Sequence, residues 1–171
     1  AAALVPAYSA DRRQGFTIAH ATDSGSGRAS WIIDNDQVPL GAPFERFGPW
    51  TLATSPVNSD KRWIAPAPLS TGLSPPRATM LASRTLPGGR LVRLRLDSGG
   101  ADAISLTFPK GVRVRQAGPP GRPEAIRAAK GRTVVRCRGR SCDGAVLDVL
   151  VESAAPVSVL VAATRSGLPA F

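Results

Sequence analysis

Over the second half of the chain, apolar and polar positions alternate with period two. Val92, Leu94 and Leu96 are interleaved with Arg93 and Arg95. Ile104, Leu106 and Phe108 are interleaved with Ser105 and Thr107, and Val112 and Val114 with Arg113 and Arg115. The pattern returns at Val135 and Cys137 against Arg136 and Arg138, at Leu147, Val149 and Val151 against Asp148 and Glu152, and at Val157, Val159 and Val161. Successive side chains of a strand leave opposite faces, so each run predicts a strand with one dry face. Between them stand the turn signals Pro87-Gly88-Gly89, Ser98-Gly99-Gly100, Pro109-Lys110-Gly111, Gly118-Pro119-Pro120-Gly121 and Cys142-Asp143-Gly144. Short strands at this spacing predict an all-β fold, an antiparallel β-sandwich of jelly-roll-like kind.

Earlier in the chain, Phe16 and Ile18 alternate with Thr17 and Ala19, and Trp31 and Ile33 with Ser30 and Asp34. Asp23-Ser24-Gly25-Ser26-Gly27 reads as a hairpin loop between them. Residues 64–78 are proline-rich and predict a connector excluded from any central strand. A 60-residue N-terminal part would be marginal alone, so the expectation is one domain over 1–171, its first strands packed onto the later sheet. At most one short helix is foreseen, over Pro123–Lys130, with Pro and Glu at its start and Gly131 after its end.

Composition changes this picture little. The 17 glycines and 16 prolines favour short elements and many turns. No apolar run approaches the roughly 18 residues of a membrane-spanning helix. The chain opens Ala-Ala-Ala-Leu-Val-Pro, without an initiator Met or a signal-peptide pattern, and reads as a fragment of something larger.

Charge changes it more. The formal net charge is +10, and the second part carries it: residues 1–60 hold four Arg and six acids, residues 61–171 eighteen basic residues and six acids. Lys110 to Arg140 is densest, with ten basic side chains against Glu124. Arg113, Arg115, Arg136, Arg138 and Arg140 form a candidate anion-binding patch. It would attract polyanions or an acidic membrane surface weakly and with salt dependence, with no specific nucleic-acid recognition. The competing reading is a set of solvated strand faces whose arginine stems cover apolar surface.

Reactive groups are scarce. His20 is the single histidine, too few for a zinc site of three or four ligands, and its parity with Ile18 marks a partly buried strand residue. A serine nucleophile would need His20 as its base, and no Gly-x-Ser-x-Gly elbow exists. Asp34 and Asp36 flank Asn35, which suggests a turn rather than an acid pair. No catalytic or metal-ligating residue is therefore nominated, and no cofactor is expected in this fragment. Cys137 and Cys142 enclose Arg-Gly-Arg-Ser, a spacer able to fold back into a disulfide across a tight turn. Such a bond implies an oxidising compartment. A redox or metal pair is the rival, although two sulfurs alone make an incomplete metal site and the spacing is not Cys-x-x-Cys.

The run Arg136-Cys137-Arg138-Gly139-Arg140-Ser141-Cys142-Asp143-Gly144, followed by a hydrophobic strand and then Ala163-Thr164-Arg165-Ser166-Gly167-Leu168-Pro169, resembles the C-terminal region of bacterial membrane-anchored aminopeptidases with two catalytic zinc ions, the type related to the endoplasmic-reticulum metallopeptidases. Thr22-Asp23, Gly27 to Trp31 and Lys61-Arg62-Trp63 extend the likeness. In that family the zinc ions, their ligands and a glutamate base belong to a preceding peptidase domain, and a β-rich extracytoplasmic tail follows the membrane spans. The resemblance implies a non-catalytic accessory domain whose partner is the peptidase domain of the same chain. It would sit on the periplasmic or extracytoplasmic side, tethered to the inner membrane through the parent protein. The alternative is an independent carbohydrate- or polyanion-binding β-sandwich using Trp31, Trp50 or Trp63 as platforms.

Overall fold

A computed structural model describes residues 17–34, 40, 44, 48–55, 60–72, 74–127, 131–153 and 155–167. The described structure is all-β, built of three antiparallel sheets with a single 3-10 turn at Arg140–Cys142. Where the sequence suggested one domain, the chain divides into two compact units, 1–71 with 168–171 and 72–167.

In the first unit, β1 (Ile18–Asp23), β2 (Arg28–Ile33), β3 (Thr51–Thr54) and β4 (Lys61–Ala67) form one sheet in the order β1-β2-β4-β3. The expected hairpin loop closes β1 onto β2. The Asp23 carboxylate accepts the Gly25 amide at 2.9 Å and the Ser26 hydroxyl at 2.8 Å, and Gly27, at φ 64°, donates to the Asp23 carbonyl. Registered partners share a face, which puts His20, Trp31, Ile33, Trp63 and Ala65 on one side of the sheet. Ile33 and Ala65 there are fully buried.

The proline-rich stretch corrects the sequence reading in part, since Ile64 to Ala67 belong to β4, a central strand, with Pro66 opposite Ser30. The reason is local. β3 pairs only with Lys61 to Ile64, so β4 is an edge from Ala65 onward, and an edge tolerates a residue without an N–H.

The second unit is a sandwich. Its larger sheet runs β5-β6-β11-β8-β9, from β5 (Arg77–Leu86), β6 (Gly89–Asp97), β8 (Val114–Gly118), β9 (Glu124–Ala125) and β11 (Val146–Val151). Its smaller sheet runs β10-β7-β12, from β7 (Ala103–Thr107), β10 (Val134–Arg138) and β12 (Leu160–Thr164). Leu96, Val114, Leu147, Val149 and Val151 of the first meet Ile104, Leu106 and Val135 of the second in one buried cluster, against which Val157, Val159 and Val161 pack. The β5–β6 turn depends on Gly89, because a Cβ there would lie 2.4 Å from the Val151 carbonyl oxygen.

The helix foreseen over Pro123–Lys130 is not formed at its described residues. Glu124 and Ala125 instead make β9, paired with Ala117 and Gln116, and Ile126 donates its N–H to Arg115. The turn through Gly121, at φ 78°, sends the chain straight back along β8, so sheet hydrogen bonds take the backbone groups a helix would use. Residues 128–130 lie outside the described part.

Candidate functional site

Cys137 and Cys142 are joined in a disulfide with Cα atoms 5.8 Å apart. The bond spans the 3-10 turn after β10, where Cys142 is fully buried in the core cluster. Its presence is compatible with an oxidising, extracytoplasmic location. Among the described residues no helix is long and apolar enough to cross a membrane.

The five nominated arginines do not form one patch. Arg113 and Arg115 lead into and lie on β8 of the larger sheet, where both guanidinium groups face Glu152. Arg136 and Arg138 stand on β10 of the smaller sheet, and Arg140 follows in the 3-10 turn, all three exposed. Core contacts occupy the inner face of each sheet, so the two groups of cations belong to different outer faces of the sandwich. Period two correctly assigned them outward, but sheet membership depends on strand order, which periodicity does not encode.

His20 is half-buried on β1, its ring edge-on to Trp31 at 5.0 Å between centroids and its Nε2 2.9 Å from the Pro68 carbonyl oxygen. Trp31 and Trp63 are also half-buried, on the face that carries Ile33 and Ala65, and Trp50 donates its ring N–H to the Phe44 carbonyl at 2.7 Å. All three tryptophans are half-buried. Asn35 and Asp36 lie outside the described residues, while Asp34 pairs with Arg62 at 2.5 Å.

What the fold brings together is one end of the sandwich. The loop Ser98–Asp102, the disulfide turn and Thr164–Gly167 meet there. Asp102 is the knot: its N–H donates to Thr164 at 3.0 Å, its carbonyl accepts from Gly139 at 2.7 Å, and its carboxylate accepts the Ser166 N–H at 2.7 Å. The Ser166 amide, then its hydroxyl, and the nearby Arg140 and Arg165 guanidiniums hold this acid below the usual carboxylate range. Asp143, beside the disulfide, accepts the Ser98 N–H at 2.7 Å and its hydroxyl at 3.1 Å, and these bonds lower its pKa likewise. Arg165 reaches the Gly99 carbonyl at 2.9 Å.

Neither Asp102 nor Asp143 was singled out from sequence. Asp143 lies inside a turn signal and Asp102 two residues after one; an aspartate at a glycine turn, able to accept nearby backbone amides, is the recognisable sign. Also unforeseen was the buried Asp148 of β11, gripped at 2.7 and 2.9 Å by Arg93 from the opposing position on β6. That Arg93 clasp lowers the acid against the opposing effect of burial.

A group whose folded-state pKa is depressed contributes stability above its unfolded value, and that contribution disappears as pH falls through the folded value. Asp102, Asp143 and Asp148 should therefore make the second unit acid-sensitive below the ordinary aspartate value of about 3.9. Urea midpoints should drop between about pH 6 and about pH 3, and Asp143→Asn should shallow the drop. An acid limb of the same depth in that variant would contradict the assignment.

Together, fold and site define a disulfide-stapled antiparallel β-sandwich unit with a cross-tied loop end; the other unit holds a four-stranded antiparallel sheet. Comparison with family models, with curated proteins and with solved structures finds no match in any of the three.

Proposed function

We propose that the chain is a non-catalytic, extracytoplasmic accessory region of a zinc-dependent aminopeptidase, packing against or assisting the peptidase domain of the same protein. The observation that carries this reading is the meeting of the two runs that most strongly resemble such tails. Arg136 to Gly144 and Ala163 to Gly167 come together on Asp102, through bonds to Gly139, Thr164 and Ser166. A motif pair that folds into one rigid end, with Arg138 and Arg140 exposed beside it, suits a docking surface for the preceding domain. In this reading the two zinc ions, their ligands and the general base belong to the preceding peptidase domain. The disulfide supports the periplasmic side, and tethering to the inner membrane would come from the parent.

Two measurements test the proposal. The coding sequence upstream should contain a two-zinc ligand set and several hydrophobic spans; a secretion signal directly before residue 1 would overturn it. The purified chain supplied with zinc should release no amino acid from aminoacyl-nitroanilides, and turnover that disappears in His20→Ala would make the chain itself a hydrolase.

A further inference from the structure

We infer that β10 is a docking edge for an extended acidic peptide, which would add to the smaller sheet as a fourth strand. Three observations meet on this strand. First, in the order β10-β7-β12 it is an outer strand, and among the described residues its side away from β7 has no hydrogen-bond partner. Its main-chain groups offer the row of donors and acceptors that strand addition uses.

Second, its outward positions carry Val134, Arg136 and Arg138, all exposed, while Val135 and Cys137 face the core. Arg136 and Arg138 are an i, i+2 pair, about 7 Å apart along a strand, and neither has an ion-pair partner among the described residues. An added strand with acids at alternate positions sets a carboxylate beside each of them.

Third, the sheet behind supplies no competing acid. The outward rows run Val134–Thr107–Leu160, Arg136–Ser105–Ala162 and Arg138–Ala103–Thr164. Exposed Val134 (43%) at one end of β10 leaves room for an apolar residue there, and the arginines fill the other.

Charge also decides against a second copy of this chain. Full-length antiparallel pairing of β10 with itself puts Arg136 against Arg136 across the new ladder, a destabilising contact. The other long edge, β5, faces outward with a bulge between Met80 and Ala82 that interrupts its ladder, and β12 carries no charged side chain. An acidic strand on β10 is the occupant that edge and charge both select. This inference does not depend on the identity of the parent protein.

The test uses the whole 171-residue chain and a fluorescein-labelled heptapeptide of alternating Glu and Val, followed by anisotropy. Binding is expected, weakening as salt rises from about 0.05 M to about 0.5 M. Arg136→Ala and Arg138→Ala should each weaken it about two- to fivefold, and Arg136→Glu with Arg138→Glu about tenfold or more. Arg113→Ala, on the other sheet, should leave it unchanged. Two N-methylated peptides, one blocking odd and one even amides, separate strand addition from simple charge attraction: one of them should lose binding and the other keep it. Binding retained by both, equal binding of a peptide with its acids clustered, or stronger binding to a sulfated oligosaccharide or to anionic vesicles would overturn the inference. So would absence of binding by the unmodified peptide at low salt.

Discussion

Leu106→Ala is expected to destabilise the second unit by about 2–5 kcal/mol, the range for emptying a fully buried leucine site. Leu106 is fully buried, lies on the central strand of the smaller sheet, and stands between Val135 and Val161 in register. It faces the Val149 and Leu96 side of the core across the sandwich. Neighbours held in two hydrogen-bonded ladders have little freedom to close the gap, which favours the upper part of the range. Guanidinium unfolding of the variant checks this. Leu160→Ala, at an exposed position opposite Thr107, serves as the control and should stay within about 0.5 kcal/mol. If Leu106→Ala were as mild as its control, the two sheets would not be sharing one core.

Removing the disulfide should come next in size. In the chain-entropy account, a bond closing a loop this short contributes about 2 kcal/mol by restricting the unfolded chain. Cys137→Ala with Cys142→Ala should lose that amount, and reductant added to the unaltered chain should reproduce most of the loss. The cost has a spatial signature. Gly139 lies inside the closed loop and donates to the Asp102 carbonyl, and Asp102 in turn holds Thr164 and Ser166. Amide exchange at Gly139 and Ser166 should therefore speed up more than exchange in β6 or β11. Uniform acceleration over the whole unit would mean that the staple acts on global stability alone and leaves the loop end untouched.

The strands legible in the sequence were those with alternating apolar and polar residues: β6, β7, β10 and β11 stand where alternation puts them, although the polar position Asp148 of β11 is buried. Val112 and Val157 were correctly assigned to the core, while the hydrogen-bonded ladders begin later, at Val114 and Leu160. β5 gave no signal because nearly all its residues, Met80 and Leu81 included, are exposed on both faces, so no apolar period marks them. Pro66 in β4 and the short β9 escaped because their fates depend on where a neighbouring strand ends or returns, which is tertiary information. The same limit applies to the charges. That Arg136 and Arg138 point outward was readable; that Arg113 and Arg115 belong to another sheet and share Glu152 was not. Cys137 and Cys142 were legible because a short glycine-containing spacer brings its own geometry.

The placement of β11 between β6 and β8 has a consequence for how the chain is made. Both neighbours leave the ribosome before Val146–Val151 does, so each waits with a bare flank until that late segment slots between them. Long-range pairing of this kind is slow to form. The larger sheet should thus stay open between β6 and β8 until Val146–Val151 has been made, and then close in a single cooperative step.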